Sequence, residues 1–328
     1  MKILIFEYIT GGGFNKQALP DSLSSEGRLM LGALLDNLTR LENIELTVML
    51  DWRLKGLISN NLINTVIISS EQESSQEFER LAKQADIIWP IAPEFDGILQ
   101  KLCQTAFALG KIVLSSSEET IAITGNKFKT YELLSQNHIT TVPTRIFNPL
   151  LKLVSDEEWL IKPIDGVGCV DSYIINNSQD LNKIISYQKE YIIQPHLYGA
   201  KTSLSCLFKQ GRGWLVCANS QNFEIINQQY HLLEIIVNHH PDPGHYQGLI
   251  NHIAFTLPEL WGYAGIDLIE TTEQTWVLEI NPRLTTSFVG IYDALGINIS
   301  EAVLQMLDGD PILKPLFNKT ISIQTHAS

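Results

Sequence analysis

Basic residues are scarce in this chain: its 328 residues hold 23 Lys and Arg against 36 Asp and Glu, for a formal net charge of −13. No run of Lys or Arg offsets that excess, so a phosphate backbone is repelled on average. General nucleic-acid binding is therefore excluded, and any phosphate must be met by individually placed cations. Cysteine is sparse too, and Cys103, Cys169, Cys206 and Cys217 show no Cys-X-X-Cys spacing. That argues against a zinc knuckle or a disulfide framework and for reduced thiols in the cytoplasm. The chain opens without a long apolar run. Lys2 to Glu7 is a short strand with an acidic end, neither a signal peptide nor a membrane span, and no membrane association is expected. Internal repeats and low-complexity tracts are also missing. What remains is 45% hydrophobic and only 18% charged, enough apolar material for two or three compact domains.

The apolar pattern alternates between strand and helix. Ile3 to Tyr8 reads as a buried strand, with further strands at Glu45 to Leu50, Val66 to Ser69, Asp86 to Ile91 and Lys111 to Ser115. Leu29, Met30, Ala33, Leu34, Leu38 and Leu41 recur at three- and four-residue spacing, which predicts an amphipathic helix after the polar segment Pro20 to Ser25; Glu73 to Gln84 predicts another. This is the βαβ series of an α/β domain. Ser115-Ser116-Ser117, followed by Glu118-Glu119, marks a helix start and the first domain division. Gly11-Gly12-Gly13 follows the first strand, but a dinucleotide-binding GxGxxG would need a third glycine where the chain has Lys16, which disfavours a nicotinamide oxidoreductase. The glycines permit close approach of the backbone either to a neighbouring loop or to a small substrate at the carboxyl ends of the strands. Glu7, Glu26 and Glu94 are candidates for the same edge, with solvated or capping carboxylates as the alternative.

Two later segments carry more chemistry. Tyr263 to Glu270 and Trp276 to Arg283 alternate apolar with polar residues around a turn-like Thr271 to Gln274, which predicts a hairpin with Asp267 and Glu279 on one face. Asn281 shares the phase of Glu279 and adds an amide oxygen, and Arg283, in phase again, adds a cation that can face phosphate or carboxylate oxygens. Such a set suits a hard cation and a polyphosphate. Upstream, Lys127 follows Gly125-Asn126 and opens a helix running through Leu134, where backbone amides also favour anions. Lys162 ends a hydrophobic strand just before the loop Asp165-Gly166-Val167-Gly168-Cys169, whose glycines let it fold over phosphates. The strand Glu190 to Leu197, interrupted by Pro195, reads as an edge or connector with backbone groups for a heterocycle. The loop Asn238 to His245 holds His239, His240 and His245 among Pro and Gly, with no regular geometry to aim them; it reads as a solvated loop or substrate lid, not a transition-metal site.

The order Lys127, Lys162-Pro163, glycine loop, Gln194 connector, then Asp267 with Glu279-Ile280-Asn281-Pro282-Arg283 resembles the ATP-grasp superfamily over Ile121 to Asp310. The resemblance implies an α/β protein of the ATP-grasp fold. An N-terminal α/β (pre-ATP-grasp) domain would cover 1–115, a small α+β subdomain 116–192, and a C-terminal subdomain with the metal site 193–328, the last two clamping ATP. It implies Lys127 and Lys162 on the nucleotide phosphates with the Gly166 and Gly168 loop, and Gln194, Pro195, His196 and Leu197 around adenine. Asp267, Glu279 and Asn281 become ligands for magnesium, or manganese, and Arg283 with Lys162 becomes the catalytic pair that neutralises charge on the transferred phosphoryl group. Two departures stand out: Cys169 replaces the small hydroxyl residue of many members, and Tyr198 to Thr202 lacks their ribose-binding acid.

Phe6 to Gly13, Ser25 to Leu31, Ile91 to Glu94 and Asn281 to Ser287 further resemble the tyramine-glutamate ligase group of methanofuran biosynthesis. That implies activation of the γ-carboxylate of glutamate to an acyl phosphate and its attack by the amine of tyramine or tyrosine. Thr285, Thr286 and Ser287 would contact the amino acid, or else serve as helix-start hydroxyls. The expected partners are small molecules, with a homodimer as the assembly allowed. The alternatives are a ligase of the same superfamily for another amino acid or dipeptide, and a nucleotide-binding regulatory protein without turnover.

Overall fold

A computed structural model describes residues 1–148, 157–176, 189–240 and 242–325. Three sheets organise them. The first is parallel, in the order β3-β2-β1-β4-β5, from β1 (Lys2–Glu7), β2 (Glu45–Asp51), β3 (Ile63–Ile68), β4 (Ile87–Ile91) and β5 (Ile112–Val113). β1 is buried from Ile3 onward and β4 throughout, as expected of central parallel strands covered on both faces. Helices α1 (Asp21–Leu38), α2 (Ser74–Ala82) and α3 (Ile98–Ala108) accompany this sheet. Helix α1 begins earlier than its apolar spacing predicts, with Pro20 at the N-cap (φ −67°) and Asp21 in the first turn, where a negative charge suits the helix dipole. Helix α3 has no counterpart in the sequence reading and starts after Gly97, which takes φ +65°.

Helices α4 (Glu118–Thr124) and α5 (Lys127–Gln136) lead to a four-stranded antiparallel sheet, ordered β6-β9-β7-β8, from β6 (Arg145–Ile146), β7 (Trp159–Pro163), β8 (Tyr173–Ile175) and β9 (Tyr191–Pro195). Because β9 pairs with β6 on one side and β7 on the other, a division after residue 192 cuts a strand; we place the end of this unit after Pro195. The third sheet, order β14-β13-β10-β11-β12-β15, comprises β10 (Ala200–Lys209), β11 (Arg212–Ile226), β12 (Gln229–Val237), β13 (Gly262–Glu270), β14 (Thr275–Asn281) and β15 (Ile321–Gln324). Helix α6 (Gln247–Thr256) packs on it, and α7 (Ile291–Leu295) and α8 (Ile299–Gln305) follow β14. Among the described residues no single helix is long and apolar enough to cross a membrane.

The core explains how the ends of the chain meet. Ile3, Ile5, Leu34 and Leu38 of the first sheet and α1 share one buried cluster with Phe288, Ile291, Ile299, Val303 and Met306. The segment after β14 is thereby pinned against α1. That brings Thr285 to Ser287 and Arg283 beside residues of the first domain.

Candidate active site

The predicted hairpin forms, and its register places the two carboxylates directly opposite each other: Asp267 pairs with Glu279 and Gly265 with Asn281. Leu278 is an extra residue on β14 at this point, since the next pair is Leu268 with Val277. Such a bulge re-aims the side chains beside it, and both Leu278 and Glu279 face one large cavity. The cavity, of about 550 Å³, lies between the small sheet and the large one.

Asp267 is held by amides: its Oδ1 accepts from Gln221 Nε2 at 3.1 Å and its Oδ2 from Asn281 Nδ2 at 2.9 Å. Asn281 uses the nitrogen end of its amide there, leaving the oxygen end for a cation. Burial, and then the neighbouring charge of Glu279, push the Asp267 carboxyl up. Burial also acts upward on Glu279, but the Lys127 and Lys162 ammonium groups outweigh it and hold that carboxyl below its ordinary range. Two apposed half-buried carboxylates, one of them short of compensating positive charge, form a donor set that a hard divalent cation would complete. The set fits magnesium or manganese. Among the described residues no cluster of three or more His, Cys, Asp or Glu side chains is suited to a metal, so His239, His240 and His245 do not assemble one; Pro241 of that loop lies outside the described residues.

Lys127 opens α5, whose N-cap Asn126 accepts from the amides of Phe128 (3.1 Å) and Lys129 (3.0 Å) through its side chain. The Lys127 ammonium donates to the Gly166 carbonyl and lies 3.3 Å from Glu279 Oε2. Lys162 projects from β7 and is buried; burial pushes its ammonium below the ordinary lysine value, with Glu279 opposing. Both lysines line the cavity together with Gly166, Gly168 and Cys169. Gly168 (φ +61°) and Cys169 (φ +60°) adopt left-handed backbone, natural for the glycine and strained for the cysteine. Burial pushes the Cys169 thiol up to about 12, so it sits there as a neutral group.

The connector Gln194, Pro195, His196 and Leu197 also lines the cavity. Gln194 Nε2 donates to Thr144 Oγ1 at 2.7 Å, while its buried Oε1 has no protein partner. Both ring nitrogens of His196 are engaged, Nδ1 with Glu158 Oε2 at 2.8 Å and Nε2 with the Tyr230 hydroxyl at 2.6 Å, so this histidine is a braced part of the wall. Cavity residues that sequence reasoning missed include Gln221, Phe223 and Tyr230 on β11 and β12, whose roles depend on how those strands fold over the cleft. Lys201, within the segment Tyr198 to Thr202 that lacks the ribose-binding acid, also lines the cavity. Burial, then the charge of Lys162, lowers its ammonium to about 8.

On the first-domain side, Arg283 is half-buried and forms a two-pronged ion pair with Glu94, Nε to Oε1 at 2.9 Å and an Nη to Oε2 at 3.1 Å. Burial alone would weaken its protonation, but Glu94 more than compensates and raises it. Thr286 Oγ1 donates to Glu26 Oε2 at 2.6 Å, and Thr285, Ser287 and the Tyr263 hydroxyl form a hydrogen-bonded group on the same wall. The structure thus brings Arg283, Glu26, Thr285, Thr286 and Ser287 to the cavity. Glu7 and Gly11 to Gly13 are not among its lining. Glu7 is buried and accepts from the Thr10 amide (2.7 Å) and hydroxyl (2.5 Å) and, at 3.3 Å, from the Ile9 amide, anchoring the turn after β1. The glycines of that turn allow tight packing: an added Cβ would lie 2.6 Å from the Phe6 ring at Gly11, 2.8 Å from Ile68 at Gly12 and 2.3 Å from the Tyr8 ring at Gly13.

Residues 124–287 match the family model described as ATP-grasp domain, and residues 44–121 match pre ATP-grasp 3 domain. The tyramine–L-glutamate ligase of Methanocaldococcus jannaschii is 25% identical over 292 residues, covering 88% of this chain and 84% of that protein. Among solved structures, a putative ATP-grasp superfamily protein from Archaeoglobus fulgidus superimposes with a TM-score of 0.74 at 21% identity, covering 99% of this chain and 92% of its own. An L-amino acid ligase from Bacillus licheniformis gives a TM-score of 0.66 at 17% identity, covering 96% and 75% respectively.

Proposed function

The chain belongs to the ATP-grasp family, and on that premise we propose that this ATP-dependent carbon–nitrogen ligase joins the γ-carboxylate of glutamate to the amine of tyramine or tyrosine. The observation that carries the reading is the convergence of Lys127 and Lys162 with Asp267, Glu279 and Arg283 on one cavity. Lys127, Lys162 and the Gly166 to Gly168 loop bind and orient the ATP phosphates, and the Gln194 to Leu197 connector receives adenine against the cavity wall. Asp267, Glu279 and Asn281 would hold magnesium or manganese, which when bound supplies positive charge to the phosphate oxygens.

The acid's carboxylate oxygen attacks the γ-phosphorus and ADP leaves, giving an acyl phosphate. The amine then attacks the carbonyl carbon, and its carbon–oxygen bond to phosphate breaks. Lys162 and Arg283 face charge that moves in both steps, so positioning and electrostatics suffice and no side-chain nucleophile is required. Glutamate and tyramine are favoured because the Methanocaldococcus relative, matched across most of its length, acts on that pair by name. The setting this reading carries is a cytoplasmic enzyme of methanofuran-type cofactor synthesis.

The test is release of ADP and phosphate with glutamate and either tyramine or tyrosine, with the product identified by mass spectrometry. A γ-glutamyl amide with one ADP per amide is expected. Absence of amide from both pairs overturns the substrate assignment, and absence of ADP formation across a panel of amino acids and amines overturns the ligase reading.

A further inference from the structure

An amine that attacks an acyl phosphate must first lose the proton of its ammonium form. Alkyl ammonium groups have a pKa of ~10, so only about one molecule in a thousand is reactive at pH 7. A carboxylate placed to bind the ammonium and accept a proton from it would assist that loss. The cavity is lined by four carboxylates among the described residues: Glu26, Asp171, Asp267 and Glu279. Three have other partners. Asp267 and Glu279 form the cation-binding pair, Glu279 with Lys127 at 3.3 Å, and Asp171 pairs with Lys189 at 2.9 Å. Near Glu26, Glu94 is occupied by both prongs of Arg283, and Glu7 by Thr10 and Ile9.

Glu26 is different. Among the described residues no cation lies within ion-pair distance of it, and it accepts a neutral hydrogen bond from Thr286 Oγ1 at 2.6 Å, made to Oε2. That hydroxyl fixes one oxygen of a side chain that lines the cavity together with Arg283, whose protonation the Glu26 charge supports. Helix α1 supplies a rigid base for the side chain, and the shared core pins α1 to the segment carrying Thr286.

We propose that Glu26 is the acceptor-side catalytic residue, binding the ammonium of a primary amine and taking its proton before attack. The inference rests on the ligase reading. The balance is simple: one N–H proton passes to the Glu26 carboxylate, the freed nitrogen lone pair forms the carbon–nitrogen bond, and the second proton leaves with inorganic phosphate. Glu26 returns its proton to water.

Hydroxylamine separates the two steps, because it is already an uncharged nucleophile at pH 7 and traps an acyl phosphate as a hydroxamate without a base. The experiment compares wild type and Glu26→Gln with ATP and magnesium. Each of the twenty amino acids is offered with hydroxylamine, and the best acid is then offered with tyramine between pH 6.5 and 9.5. Gln retains an oxygen for Thr286 but takes no proton. Hydroxamate formation is expected to stay within about threefold of wild type, while amide formation at pH 7 falls by on the order of 10²-fold. The variant's amide rate should also climb close to tenfold per pH unit, more steeply than that of wild type. Equal losses in both reactions, or an undiminished amide rate, overturn the role of Glu26 while leaving the ligase intact. A wild type that makes hydroxamate from no amino acid overturns the ligase reading and this assignment with it.

Discussion

Asp267 and Glu279 face each other across β13 and β14, yet they are pushed in opposite directions: burial and its partner's charge raise Asp267, whereas Lys127 and Lys162 hold Glu279 down. The pair therefore has one carboxylate matched by lysines and one awaiting positive charge. Glu279→Gln removes the matched member and leaves two lysines facing a neutral amide. Turnover should fall roughly 10²- to 10³-fold, the scale seen when a preorganised electrostatic contact is lost. Stability should change much less, by about 1–3 kcal/mol, because the side chain is partly solvated and nothing apolar is removed. Steady-state ADP release and urea denaturation measure the two; comparable collapse of both would count against a metal-site role.

Arg283 and Glu94 lie 189 positions apart and form a two-pronged ion pair between the segment after β14 and the first domain. A guanidinium gripped on two sides is fixed in orientation, which a lysine cannot reproduce. Arg283→Lys should keep its charge but lose about 10²-fold in kcat, with the larger effect on kcat than on the KM for ATP. A variant with unchanged kcat and a raised KM for ATP would show that the arginine only binds nucleotide.

The contrast between legible and illegible parts of this site is physical. The hairpin and the facing of Asp267 and Glu279 were readable because polar residues in strand phase, bounded by apolar neighbours, must share a face. Lys127 was readable because Asn126 is a strong N-cap. The links Arg283 to Glu94, Thr286 to Glu26 and Gln221 to Asp267 were not, since each depends on how the chain's distant parts share a core. Pro195 reads in the sequence as an interruption of the strand Glu190 to Leu197, whereas here it is the last residue of that strand. The glycine run was left open between packing and substrate, and only the approach of Phe6, Tyr8 and Ile68 distinguishes them.

That packing makes its own prediction. Gly12 takes φ +98°, and a Cβ there would lie 2.8 Å from Ile68 Cβ at the end of β3. Gly12→Ala should therefore destabilise the protein by about 1–3 kcal/mol through backbone strain and the clash. Activity per folded molecule should remain near that of wild type. Denaturant midpoints and active-site-normalised rates check this, and a rate loss at full stability would return the glycines to the substrate site.

Lys201 is expected to tie nucleotide binding to pH. Burial and the neighbouring Lys162 lower its ammonium to about 8, so it is charged below that pH and neutral above it. If its charge faces the ATP phosphates, affinity is full on the acid side and declines as pH rises through about 8, the direction expected when a cation partner is lost. Lys201→Met should bind ATP more weakly at pH 7, by roughly tenfold, and lose most of the decline between pH 7 and 9. The removal of that pH dependence is the decisive part, because a substitution that merely loosened the pocket would weaken binding equally at every pH. Calorimetric titration of both proteins with a non-hydrolysable ATP analogue at pH 7, 8 and 9 makes the comparison, and parallel pH curves would assign the dependence to another group.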